Sequence, residues 1–423
     1  MAKDRRSEFL RPFRALSDAN YRWYWIGGFG MAGAMGLTQF AVTWLVLDIT
    51  GSLASLGLVI VAQGFPMTLI ALFGGVLADR YDRRKLLIGA QAVSMASILL
   101  LATAVLLDIV HLWHVFANSI LLGSTLALTQ PARQALISDL VPPEQRINAI
   151  ALNSVQQHAS RIVWPSVAAG LIAVLGIGPA LLGTAGCFLL GIIGIVMIKG
   201  LKLEPRFDRP SPLRSLAEGI SYTRTAPQVS RVIGLTLVFG LSSLAFIQMA
   251  PGFARAGLGF NAAQTGVFML CIGVGALVGG AMFTVMQLKS SATLCTLAMM
   301  SYSATLILFA LNPWYAGFFV IAFLNGVANS MEVILPNALF QTLVPPAYLG
   351  RVISLWFLAA GLAALSALPL GVIGDAYGLQ TAFACAGVLF IAVALWVGWF
   401  GDRLTGGRRR RAVSNTIPGS AEA

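Results

Sequence analysis

The stretch "GGVLADRYDRRKLLIGA", residues 74–90, packs Asp79, Arg80, Asp82, Arg83, Arg84 and Lys85 between two apolar runs of a chain that is 57% hydrophobic and only 10% charged. A soluble domain of 423 residues needs far more charge than this to cover its surface, and the mean hydropathy of +0.82 points the same way. The charges therefore mark a short polar turn between membrane spans.

Outward from that turn, apolar runs of about 20 residues or more recur, the length that carries a helix across roughly 30 Å of hydrocarbon. Twelve are read, at 23–47, 52–78, 86–107, 111–137, 148–174, 177–199, 229–249, 262–287, 292–311, 314–341, 350–374 and 380–401. They divide the chain into a leader (1–22), six helices (23–200), a linker with an amphipathic helix (201–228), six more helices (229–401) and a basic tail (402–423). The fold class is thus all-α integral membrane, with two six-helix bundles. The segment "LVPP" occurs at 140–143 and again at 343–346, an offset of 203 residues, and reads as the trace of an internal duplication.

Lys and Arg concentrate in the leader, the 80–85 turn, the linker and the run Arg408–Arg411, while the alternate turns carry Arg255 with Asp48, Asp108 and Asp375. By the positive-inside rule both termini are cytoplasmic. The net charge of +12 then reflects lipid headgroups and topology, and no nucleic-acid partner is expected. The first run follows a charged leader and is too long for the core of a signal peptide. Cys187, Cys271, Cys295 and Cys385 stand singly in apolar runs, so no metal or disulfide is expected. No phosphate-binding loop of the G-x-x-x-x-G-K-[ST] kind is present, so the chain is not expected to hydrolyse ATP, and no cofactor is expected.

The segment "GVLADRYDRR", 75–84, resembles the signature of the major facilitator superfamily between helices two and three, G-x-L-a-D-R-x-G/D-R-R/K. "FRALSDANYRWYWIG" (13–27), "ITGSLASLGLVIVAQGFP" (49–66) and "QPARQALISDLVPPEQRINAIALNS" (130–154) are similar to its drug:proton antiporter-3 branch, which includes enterobactin-type exporters and macrolide efflux proteins. The resemblance implies the major facilitator fold, a proton-coupled antiporter in a prokaryotic inner membrane, and a cytoplasmic gate made of Gly75, Asp79, Arg80, Arg83 and Arg84, with Asp79 engaging the start of the eleventh run near 350–354. The chain departs from the branch at Trp164–Pro165, where related exporters carry Gly-Pro, and its fourth run lacks an R-x-x-x-G motif.

Charged and amide side chains inside apolar runs are costly and mark a pathway or a partner. Asn153, Gln157 and Arg161 recur at i, i+4 and i+8 of the fifth run, and Asn325, Asn329 and Glu332 at i, i+4 and i+7 of the tenth. Each set forms one polar stripe, facing an aqueous cavity or another helix. Two readings stand side by side. Either both stripes line a substrate and proton pathway, with Glu332 the protonatable group and Arg161 an anion contact, or Arg161 and Glu332 are structural clamps. Gln39, Gln63, Asn118 and Gln130 are further cavity candidates, and Arg133 with Asp139 belongs near the gate. The expected function is export of a small amphipathic molecule by a monomer. Uptake or lipid movement by the same fold is the alternative, and a sensor or enzyme lacks its output domain or convergent catalytic set.

Overall fold

The computed structural model describes residues 15–80, 82–142, 145–200, 227–286, 291–345 and 363–414, with Ser221 and Thr223; for 71–80, 398–414 and scattered others only the backbone is described. Six helices come first: α1 (Ala19–Thr50), α2 (Leu53–Arg80), α3 (Arg83–Leu106), α4 (Leu112–Leu140), α5 (Arg146–Leu175) and α6 (Ile177–Val196). A second group holds α7 (Pro227–Phe239), α8 (Ala245–Gly252), α9 (Ala262–Val285), α10 (Ala292–Leu311), α11 (Tyr315–Leu343), α12 (Ala367–Tyr377) and α13 (Leu379–Ser414). No strand occurs among the described residues, and nine of the described helices are long and apolar enough to cross a membrane. Most of the linker, 201–220, lies outside the description.

Local chemistry sets where helices begin and end. Asp18 accepts the Tyr21 N–H at 2.9 Å and starts α1, and Asp82 accepts the N–H groups of Arg84 (2.8 Å) and Lys85 (3.4 Å) and starts α3. The tight reversals after α1 and α5 rest on Gly51 (φ 62°) and Gly176 (φ 86°), left-handed positions that a side chain would strain. One part of the seventh run is irregular. A π turn at Gly240–Leu244 separates α7 from α8, and a second, Phe253–Gly257, carries the helical path past the expected end at 249.

Packing repeats between the groups. In the first, α1 packs on α6, α2 on α4 and α3 on α6; in the second, α9 packs on α11 and α10 on α13. Gly123 of α4 and Gly326 of α11, again 203 residues apart, do the same job. A Cβ on the first would run into the Gln63 carbonyl of α2, and one on the second into the Ile272 carbonyl of α9. Between groups the main contacts are α2 with α12 and α5 with α9, a two-fold arrangement.

The apolar core is shared at one end and divided at the other. A single cluster joins Leu37, Phe40 and Phe188 of the first group to Phe246, Phe253 and Phe383 of the second, near the end that bears Asp48, Asp108 and Asp375. Toward the end that bears Arg83 and Arg84, the described core separates into two clusters. One holds Tyr21, Leu87 and Leu136; the other holds Val232, Met299 and Leu339. Among the described residues, the groups are thus packed together at the acidic end and form separate clusters at the basic end.

Candidate functional site

At the basic end, Arg83 is 7% exposed and its Nη1 donates to Asp139 Oδ2 at 2.6 Å, tying the start of α3 to the end of α4. Arg84 Nη2 donates to the Val196 carbonyl at 2.5 Å, tying the same turn to α6. These described contacts lie within the first group and tie the 80–85 turn to α4 and α6. The side chains of Gly75, Asp79 and Arg80, and residues 350–354, lie outside the described residues. Arg133 packs over Tyr24, its guanidinium 5.6 Å from the ring centroid, and so joins α4 to α1.

Toward the acidic end of the bundle a cavity of about 20 Å³ lies where α1, α2 and α4 meet α8. That is room for roughly one water. Thr38, Gln39, Gln63, Ser119 and, from α8, Gln248 line it, and no ionisable side chain does. Gln39 Nε2 reaches the Ile247 carbonyl of α8 at 3.5 Å. Amides and hydroxyls of this kind offer donors and acceptors to neutral polar groups. Two of the sequence candidates, Gln39 and Gln63, are therefore cavity residues. Asn118 is instead a helix-to-helix bond, accepting from Ser97 Oγ at 2.8 Å, and Gln130 is exposed away from this lining.

The stripe on α5 divides by environment, with Asn153 buried and Gln157 exposed, while the Arg161 side chain lies outside the description. The bulky Trp164 beside it packs against Gly33 of α1 and tilts against Phe29, with ring centroids 5.0 Å apart. Absence of a side chain on α1 makes room for the extra volume on α5.

The stripe on α11 faces its own bundle, not the cavity. Asn325 Nδ2 donates to Thr305 Oγ1 of α10 at 2.7 Å, and Asn329 Nδ2 to Ser243 Oγ of the π turn at 2.5 Å. The Tyr302 hydroxyl reaches the Ser243 carbonyl at 3.5 Å. Glu332 is 2% exposed, and neither of its carboxyl oxygens has a hydrogen-bond partner among the described residues; Asn325 Oδ1 has none either. In this conformation Asn325 and Glu332 are buried, and the described partners of the stripe lie on α10 and the π turn. The amide hydrogens are used on neighbouring hydroxyls, which leaves acceptor oxygens unmatched.

A two-fold bundle with an uncharged cavity between its halves and, among the described residues, one buried carboxyl without a hydrogen-bond partner describes a membrane transporter of the major facilitator type. Residues 10–403 match the transmembrane secretion effector family of that superfamily, and the chain belongs to it. Macrolide efflux protein A of Streptococcus pyogenes is 26% identical over 373 residues, covering 85% of this chain and 90% of that protein. Enterobactin exporter EntS of Escherichia coli O81 (strain ED1a) is 28% identical over 330 residues, 76% of this chain and 77% of its own length. In fold, the chain is similar to the peptide transporter POT (TM-score 0.74, 12% identity, 91% of this chain and 95% of the other). Nucleoside transporter NupG is also similar (TM-score 0.72, 10% identity, 90% and 98%). Family membership makes the protein a small-molecule efflux transporter embedded in the membrane, and not an enzyme.

Proposed function

We propose that the protein is a secondary active exporter of a prokaryotic inner membrane, with both termini cytoplasmic, working as a monomer by alternating access and driven by protons. The division of the apolar core carries this reading. Groups whose described residues share one interior at the acidic end and form two at the basic end match one of the two states between which such a molecule rocks. Given the excess of Arg at the basic end, this state is packed shut toward the outside. Its cargo is a small amphipathic compound, in the range of the macrolides and siderophores named for its relatives, and the neutral cavity meets the cargo's polar groups.

Glu332 is the proposed proton carrier. A carboxylate buried without a donor bears the full desolvation cost of its charge, whereas the protonated form does not. A group of this kind takes up a proton to be buried and releases it when the helices part. Arg161 and the gate residues Gly75, Asp79 and Arg80 keep their expected roles in this reading.

Purified protein in liposomes with an internal pH dye and an imposed gradient tests it, with macrolide-like and siderophore-like compounds as cargo. One compound should drive proton flux in the parent protein, and Glu332→Gln should abolish it. Cargo movement without proton flux, unchanged by that substitution, would discard both the coupling ion and the site.

A further inference from the structure

The turn between α1 and α2, Thr50–Gly51–Ser52, is held by two side chains of opposite charge from the second group. The first is Asp375, near the end of α12. Its Oδ1 accepts the Leu53 N–H at 2.8 Å; its Oδ2 accepts the Ala54 N–H at 3.0 Å and the Ser52 hydroxyl at 2.6 Å. Ser52 Oγ in turn accepts the Ser55 N–H at 3.1 Å. The opening turn of α2 therefore has its N–H groups satisfied, two of them by a residue 321 or more positions away. The second is Arg255, in the π turn after α8. Its Nη1 donates to the Trp44 carbonyl at 2.7 Å, its guanidinium lies 4.3 Å from the Trp44 ring centroid, and its Nη2 pairs with Asp48.

The signs match the helix ends. An anion sits at the positive start of α2, and a cation sits at the negative end of α1. Asp375 meanwhile stands at the end of its own helix, where an acid is unfavourable, so its placement serves α2 and not α12. Around the two contacts the backbones are close. A Cβ on Gly57 of α2 would come within 2.6 Å of the Ala367 carbonyl, and Leu56 is 1% exposed beneath the turn.

We infer that Asp375 and Arg255 form a two-pronged latch that grips the α1–α2 turn by its helix ends and holds the acidic end of the transporter closed. Opening that end requires both side chains to leave the turn, and the freed N–H groups of Leu53 and Ala54 then pass to water. The latch is distinct from the signature loop at 75–84, which lies at the opposite ends of α2 and α3. It rests on the proposed orientation, with the acidic end outside, while neither cargo nor coupling ion enters the argument.

The test places a single reporter at Leu56→Cys, in a full-length chain whose four native cysteines are replaced by Ala, and measures its labelling in intact cells by a membrane-impermeant maleimide. With the latch intact the reporter should label slowly. Asp375→Asn should raise the rate at least five-fold, Arg255→Gln should raise it by a smaller factor, and Asp108→Asn, a carboxylate at the same end outside the latch, should leave it unchanged. Loss of helix capping alone would also loosen α2, so Ser52→Asp is added to Asp375→Asn. That pair restores an acid to the helix start without reconnecting the groups. Labelling that stays fast in the pair supports a latch. Labelling that returns to the parent rate, or that never rises in Asp375→Asn or Arg255→Gln, overturns it. Size-exclusion profiles of each variant separate a folded, opened protein from a collapsed one, and a collapsed Asp375→Asn leaves Arg255→Gln to decide.

Discussion

Asp375 shows how one side chain sets a pH range. Burial pushes its pKa up, but hydrogen bonds from Ser52, Ala54 and Leu53 outweigh this, and the carboxyl lies below its ordinary value. A lowered folded value means the contact is fully present above the ordinary aspartate pKa of about 3.9 and is lost only as pH falls through the lowered one. The other charged groups described at that end in contact with the turn, Asp48 and Arg255, pair with each other. Labelling of the Leu56→Cys reporter, normalised at each pH to that of a fully exposed cysteine, should therefore be the same at pH 8 and pH 5; a normalised rate that rises as the pH is lowered would contradict the assignment. In the proposed function the proton is carried by Glu332. Its substitution by Gln should leave the thermal midpoint within a few degrees of the parent, because no charge pair among the described residues is broken, while removing the pH dependence of transport. A midpoint lowered by ten degrees or more would make Glu332 a structural clamp instead. Of these residues, Glu332 was legible in the sequence as an acid inside an apolar run. Asp375 and Arg255 were read only as markers of topology. Two signals pointed to them: an acid at the wrong end of its own helix, and a solitary Arg among the arginine-poor turns.

At the scale of elements, the 74–90 stretch divides its labour. Asp82 caps α3, while Arg83 and Arg84 bind the turn to α4 and α6. Removing one partner of a largely buried pair leaves the other charge uncompensated. Arg83→Ala should lower the thermal midpoint in detergent, and adding Asp139→Ala should recover part of the loss; a double-mutant cycle in which the two losses simply add would rule out the coupling. The glycines at helix crossings behave alike. Gly123→Ala and Gly326→Ala each force a methyl onto a neighbouring carbonyl and should each cost about 1–3 kcal/mol, read as matching drops in midpoint. A neutral result at either position would break the structural equivalence. Apolar run length located the helices because hydrocarbon thickness dictates it, but helix ends extend into the headgroup region, where hydropathy is uninformative. Thus α1 starts at Ala19, before the expected 23, and α13 continues to Ser414 through residues read as tail. The π turns around α8 left no periodic signal, since one extra residue per turn shifts the apolar face without changing composition.

For the molecule as a whole, the sequence shows a repeat but not the conformation. The 203-residue offset, visible in "LVPP", reappears in Gly123 and Gly326 and in the paired crossings of α2 with α4 and α9 with α11. Which end is packed shut depends on contacts between side chains far apart in the chain, such as Phe246 with the first group's core, and no local pattern encodes them. The same holds for the cavity, where Gln39 and Gln63 were recognisable as polar residues in apolar runs, whereas Gln248 enters only because α8 crosses α1 and α2. A packed acidic end, a cavity of about 20 Å³ and, among the described residues, separate clusters at the basic end match one of the two states of the proposed rocking motion. Spin labels test this most directly, one pair at Asp108→Cys and Asn312→Cys and another at Lys199→Cys and Met286→Cys, with the native cysteines removed. Alternating access predicts that as pH is changed in the presence of a transported compound, one distance lengthens while the other shortens. Distances that stay fixed, or that change together, would contradict it.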